Sequence, residues 1–358
     1  MTVIVCLSIM QAMSKLHLNF YGFFTVVESD NQQILTLIEK DFYSFKCDAL
    51  DLNRHDDVFS LKILDQKAPD NLIPEIQTSM QSLSSLSYDL GDTRYNDYYG
   101  ELISKINFSK NEATLYSKSL NKLHEVAYLI ILSRVGKKLD LMGLHKLHAF
   151  AISFGDIAVI CMMPMKGGKS TLLMELLKDP RAKMISDDIP LIDRKGNLIP
   201  FPIKIGLDHF HNEIEVKNPE ENIYKMHRSQ YGTKTLISVK GIPDKIVPLN
   251  QTFKRVILIE AFRINSAHSY LGVPSWPKTF KGLFKHGIIG LGLPMVMEYF
   301  WENGLYDFMV KTFIFFSRFL SFFIFSLRCT RLRLHLGKKP DKAAKEILYF
   351  VEKIQNRS

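Results

Sequence analysis

The chain has 358 residues, 46% of them hydrophobic, and Lys plus Arg exceed Asp plus Glu by 46 − 37 = 9. That apolar share excludes wholesale disorder, and the length suits two domains or one large domain with appendages. Four scattered cysteines (Cys6, Cys47, Cys161 and Cys329) make no Cys-x-x-Cys or Cys/His ligand spacing, which argues against structural zinc and fits a reducing cytoplasm.

The N-terminal run Val3 to Met10 is short and lacks a basic flank and a small-residue cleavage site, so it does not read as a signal peptide. Leu18 to Val27 reads as a strand, Asn31 to Phe45 as a helix and Val58 to Leu64 as a strand. The Ser-rich stretch Ser79 to Asp89 reads as a loop. Ala113 to Tyr116 then reads as a strand and Leu123 to Val135 as a helix. A boundary near residue 118 separates a smaller α+β N-terminal domain, 1–118, from a core at 119–275. Strands are expected in that core near 149–154, 157–162, 183–186, 190–193 and 254–260. Residues 276–358 read as a helical C-terminal extension ending in Asp341 to Ile354. The fold class is α/β.

The core carries the most informative segments. The apolar run Ile157 to Met163 leads through Pro164, Met165 and Lys166 to Gly167-Gly168-Lys169-Ser170-Thr171, and Leu172 to Leu177 continues with helical spacing. Two glycines let backbone N–H groups curl towards an anion, and the helix N-terminus adds partial positive charge at the same place. In such a loop Lys169 reaches the β- and γ-phosphates of a nucleotide and the Ser170 hydroxyl holds Mg²⁺. Lys166, Gly167, Gly168 and Thr171 complete the expected nucleotide-binding set. The next apolar run ends in Asp187-Asp188, which would supply a carboxylate to the metal and a base for an acceptor hydroxyl, in an order the sequence leaves open. The strict pattern has Gly at the first loop position, where this chain has Met163. Met163 and Met165 would crowd a loop that wraps phosphate, and Lys166 offsets this with charge.

Arg228 and Lys234 bracket a polar turn, Ser229 to Thr233, after a helix-like segment, and read as a solvated loop or as contacts to the γ-phosphate or acceptor. Phe308 to Leu327 is long enough to span a bilayer, but Lys311 and Arg318 interrupt it. Seven residues apart, they share one helix face, so the segment reads first as a core or partner helix and second as a basic-faced helix lying on a membrane. The basic cluster Arg328, Arg331, Arg333, Lys338 and Lys339 follows it. No zinc-finger, basic-zipper or RNA-binding signature accompanies the basic excess, so nucleic acid is not an expected partner.

From about Leu144 to Leu207 the chain resembles the HPr kinase/phosphorylase family, and more closely its kinase-like relatives in bacterial peptide-modification clusters. The resemblance lies in the loop Met163 to Ser170, in Ser186-Asp187-Asp188, in Pro200-Phe201-Pro202-Ile203 and in the lead-in Leu139 to His145. It places the family's histidine, from the strand before the loop strand, on His148. His145, three residues earlier, has no further ligand at metal-binding spacing. The resemblance implies a P-loop core like that of HPr kinase and PEP carboxykinase. It further implies ATP and Mg²⁺ as cofactors, a serine on a protein or peptide as acceptor, Asp187, Asp188, His148 and Lys169 as catalytic residues, and Ser170, Asp187 and Asp188 at the metal. Homo-oligomers are common in that family. The C-terminal signature of phosphorylase activity has no counterpart here. The expected function is therefore a cytoplasmic serine kinase. The alternative is a nucleotide-binding module without catalysis that recruits a peptide or a membrane through 308–327. An ATPase with a Lys-Gly-Gly loop ranks lower, because its extra lysine lies five before the loop lysine and Lys166 lies three before.

Overall fold

The computed structural model describes residues 13–48, 58–164, 166–208, 210, 214–229, 232–291, 293, 297–302 and 304–356. The run Val3 to Met10, Cys6, Met165, and Gln230 and Tyr231 of the polar turn lie outside them. The protein is mixed α/β and divides into two compact units, residues 1–39 with 46–127, and residues 40–45 with 128–358. The division falls at 127/128 rather than near 118. Residues 276–358 belong to the second unit and do not form a separate extension.

The first unit is built on one eight-stranded sheet. Its strands are β1 (Ser14–Phe20), β2 (Phe23–Ser29), β3 (Val58–Leu64), β4 (Met80–Gln81), β5 (Leu86–Leu90), β6 (Thr93–Asp97), β7 (Ile103–Asn107) and β8 (Glu112–Tyr116), in the order β1-β2-β3-β8-β7-β6-β5-β4. Helix α1 (Gln32–Asp41) follows β2. Two expectations are corrected here. Leu18 to Val27 is not one strand, because Tyr21 and Gly22 both take positive φ, 57° and 95°, and close a two-residue hairpin. Ser79 to Asp89 is not a single loop, because β4 and β5 flank a turn at 82–85. Ser82, Ser84 and Ser85 bond one another within that turn, and Ser87 Oγ of β5 donates to Asn96 Oδ1 of β6 at 2.7 Å. A polar strand face of this kind gives no apolar alternation to read.

The second unit opens with α2 (Leu120–Met142), which continues from the first and outruns its expected end at Val135. Gly143, at φ 82°, stops it, and the amides of Gly143 and Leu144 return to Asp140 and Leu139. Next come β9 (His145–Lys146), β10 (Phe150–Phe154), β11 (Ile157–Met162), α3 (Lys169–Leu177), β12 (Ala182–Ser186), β13 (Leu191–Ile192), β14 (Leu198–Ile199) and β15 (Ile205–Leu207). After them lie α4 (Pro219–Asn222), β16 (Ile223–Arg228), β17 (Gly232–Ile237), β18 (Arg255–Arg263), β19 (Tyr270–Gly272), α5 (Trp276–Leu283), α6 (Met297–Phe300), α7 (Leu305–Arg328), β20 (Thr330–Leu336) and α8 (Pro340–Gln355). The central sheet runs β12-β10-β11-β18-β20-β19, with β11, β18 and β20 mutually parallel.

Alternation along β11 explains the layers. Val159 and Cys161 join a core with Leu172, Leu173 and Leu176 of α3 and Ala343, Ile347 and Val351 of α8. Ala158, Ile160 and Met162 face the opposite core, with Leu283 of α5 and Phe322 and Phe325 of α7. Both faces of the sheet are thus covered, and β11 reads as a continuous apolar run. The expectation of a helical C-terminal extension is corrected by the strand β20 within it. Arg331 and Arg333 of the basic cluster lie on that strand, and Arg333 pairs with Glu260 at 2.8 Å. The segment before Arg228 is likewise the strand β16, not a helix.

Helix α7 is oriented opposite to the basic-faced surface helix considered above. Its charged side chains before Arg328 are turned inwards or paired. Arg318 forms a bidentate pair with buried Asp140, and Lys311 pairs with Asp307 and sits over the Trp301 ring. Among the described residues it is the one helix long and apolar enough to cross a membrane by length and composition.

Candidate active site

The site lies where β11 ends. Met163 is fully buried in the α3-side core, which carries the chain out of the sheet with an apolar anchor where the strict loop pattern has glycine. Pro164 accepts from the Gly167 amide at 3.0 Å, so the chain turns at once. Lys166 takes φ 56° and Gly168 φ 97°, the left-handed conformations of a curled loop. Gly168 precedes α3, and its carbonyl accepts the helix's Leu172 amide at 3.0 Å. A Cβ at Gly168 would come within 2.7 Å of the Arg263 guanidinium and would also force an L-residue into the left-handed region. Gly168→Ala is therefore expected to destabilise by about 1–2 kcal/mol and to distort the loop. A thermal melt with a parallel nucleotide titration checks this, and an unaltered melt and affinity would contradict it.

Lys169 and Ser170 open α3, with Thr171 exposed on its first turn. Lys169 Nζ is ion-paired with Asp188. Ser170 Oγ lies 3.3 Å from Asp187 Oδ2, which also accepts the Gly206 amide at 3.1 Å. His148 sits between β9 and β10, with Nε2 3.4 Å from Asp188 Oδ1. It is fixed by its amide, which donates to the His286 carbonyl at 3.0 Å, while the Ala149 amide donates to the Asp188 carbonyl at 3.2 Å. The structure therefore gathers Gly167, Gly168, Lys169, Ser170, Asp187, Asp188 and His148 in one cluster, with Lys166 exposed on the loop above it. His145 stands apart. It is buried, 2.9 Å from Asp140 and 2.9 Å from Ser317 Oγ. Lys234 lies 3.9 Å from Asp208 on the separate sheet β15-β17-β16.

The two aspartates have opposite electrostatics. Burial, followed by the adjacent Asp188 charge, raises the Asp187 pKa to about 6. Burial would raise Asp188 as well, but the Lys169 ammonium and then His148 outweigh it and hold that carboxyl below its usual range. Three atoms in this cluster are buried without a hydrogen-bond partner: Asp187 Oδ1, His148 Nδ1 and His286 Nδ1. The orphaned Asp187 oxygen beside a serine hydroxyl fits Mg²⁺, which takes one or two carboxylates and completes its shell with phosphate oxygens and water. No group of three or more His, Cys, Asp or Glu suited to an all-protein metal cage occurs among the described residues.

Two neighbours escaped the sequence reading. Arg263, at the end of β18, donates through Nε to the Gly167 carbonyl at 2.9 Å and lies over the loop. His286, in the π-helical turn Phe284 to Ile288, stacks obliquely on His148 at 5.6 Å. Burial, then the neighbouring His148, Lys285 and Lys169, lower its pKa to about 4, so it is neutral at physiological pH. Arg263 had a weak signal, a charged residue ending an apolar run. His286 had none, because nothing local links it to a loop more than a hundred residues away. Comparison with protein-family models finds no family that matches this chain, and none of the curated proteins matches it.

Proposed function

We propose that the second unit is an HPr-kinase-like P-loop kinase that uses ATP and Mg²⁺ to phosphorylate a serine hydroxyl on a protein or peptide. The observation that carries this reading is the convergence of Lys169, Ser170, Asp187, Asp188 and His148 at the mouth of a glycine-curled loop. Ser170 and Asp187 would hold the magnesium ion, which supplies charge neutralisation on the transferring phosphoryl group. Lys169 would leave Asp188 for the phosphates. Because Lys169 is the leading influence lowering Asp188, its departure raises that carboxyl's affinity for a proton. Asp188, held by His148, then accepts the proton of the acceptor hydroxyl. Arg263 steadies the loop by binding the Gly167 carbonyl.

Titration calorimetry with ATP and Mg²⁺ tests the reading, and an absence of binding would overturn it. The same experiment has a defined pH dependence. Asp187 must lose its proton to bind the cation, so Mg²⁺-dependent ATP affinity is expected to hold above about pH 6 and to fall below it. Raising the Mg²⁺ concentration should move the midpoint lower, because cation and proton compete for one carboxylate. Affinity indifferent to pH between 5 and 7 would contradict Asp187 as the metal ligand.

A further inference from the structure

The outer face of α7 is apolar along its length. Phe308, Phe316, Leu320 and Leu327 are 65, 64, 58 and 61% exposed. Every charged residue of the helix before Arg328 is turned inwards or paired: Asp307 and Arg318 are buried, and Lys311 is tied to Asp307. At about 1.5 Å per residue the 24-residue helix offers a stripe roughly 36 Å long. Monomeric soluble proteins rarely leave such a stripe to water.

The neighbouring charges indicate what covers it. Helix α5 and its π-helical continuation pack on α7 through Trp276 on Phe323, Phe280 on Phe319 and Phe284 on Phe315. They leave Lys278, Lys281 and Lys285 exposed. The sequence has no Asp or Glu between Glu260 and Glu298 or between Asp307 and Asp341. Glu302 and Asp307 are engaged by Arg134, Lys137 and Lys311. The region thus combines an exposed apolar stripe with the exposed lysines of α5 beside it, and Trp301 and Tyr306 stand at the start of α7, 47 and 80% exposed. We infer that α7 is a membrane-surface anchor, lying in the plane of an anionic lipid leaflet with α5's lysines at the headgroups.

Spanning is opposed by the inward face, which would carry Asp307, Lys311 and Arg318 into hydrocarbon and break the Arg318–Asp140 pair. A twofold pairing of two copies through this face would bring the same lysines together with no acid on α5, or on α7 after Asp307, to answer them. The proposal is independent of the kinase reading.

Co-sedimentation of the full chain with vesicles tests it, using phosphatidylcholine alone and phosphatidylcholine mixed with phosphatidylglycerol. Binding to the anionic vesicles is expected, weakened by salt. It should fall roughly hundredfold in Lys278→Gln/Lys281→Gln/Lys285→Gln, at about a fivefold loss per lysine, and be lost in Phe316→Glu/Leu320→Glu. All five positions are exposed, so far-ultraviolet circular dichroism should be unchanged. No sedimentation, equal binding to both vesicles, or binding unaffected by Phe316→Glu/Leu320→Glu would overturn the proposal. So would a discrete dimer, abolished by that variant, in a protein that does not bind vesicles.

Discussion

Lys169→Ala is expected to weaken ATP binding in the presence of Mg²⁺ by about 10- to 100-fold, the worth of a charge-assisted hydrogen bond lost to an anion. Phosphoryl transfer should fall further, by about 10²–10³-fold, because an ammonium aimed at the transferring group acts most strongly where charge develops. The side chain is well placed for both effects. It lies on the first turn of α3, directly after left-handed Gly168, and its present partner Asp188 is half-buried. The substitution leaves Asp188 with His148 at 3.4 Å, so the carboxylate keeps a partner and the fold should persist. Calorimetry on wild type and variant reads the first effect, and turnover of γ-labelled ATP reads the second. Unchanged binding and turnover would remove Lys169 from the site and the kinase assignment with it. Lost turnover with intact binding would confine Lys169 to the transfer step.

The second large effect concerns stability. Arg318→Met is expected to destabilise the second unit by about 3–5 kcal/mol, because it strands the Asp140 carboxylate in a fully buried position. The Arg318 guanidinium grips both Asp140 oxygens, and His145 Nδ1 reaches the same group at 2.9 Å. Burial by itself would raise the Asp140 pKa, but Arg318 and His145 outweigh it and hold the carboxyl below its usual range. Its contribution to stability is therefore complete above the unfolded carboxylate pKa of about 4 and is lost as pH falls through the lower folded value. The double variant Asp140→Leu/Arg318→Met should recover much of the loss, since replacing a whole buried pair by apolar groups is often near neutral. Denaturant unfolding of the three variants at neutral pH checks this. A single variant as stable as wild type would show that the pair is solvated. A double variant no better than the single would show that its geometry, not its charge balance, matters.

Local pattern carried much of the second unit. The run Ile157 to Met162, the glycine turn and the apolar spacing of Leu172 to Leu177 have the periods of a buried strand and a helix, and both elements occur there. The adjacency of Asp187-Asp188 to the loop was also within reach, because β12 follows α3 closely and returns to the same end of the sheet. The hairpin at Tyr21-Gly22 was misjudged because apolar residues continue on both sides of it, and only the positive φ values divide them. The strands β4 and β5 carry little apolar signal because the serines around them bond within the turn at 82–85 and, through Ser87, to Asn96 rather than to a core.

Sequence by itself determined the elements whose causes are local: the strand, the glycine curl, the helix start at Lys169, and the sharing of one face by Lys311 and Arg318. Tertiary structure alone decided which way that shared face points. Helical periodicity groups residues on a side but cannot say whether that side meets water or a buried Asp140 that lies 178 residues away. The same limit hid the pairing of β18 with β11 and of β20 with β18, and so the place of Arg263 at the end of β18; it equally hid His286, which reaches the site from the turn after α5. Parallel pairing joins segments far apart along the chain, and the free energy that selects those partners comes from burying both sheet faces at once.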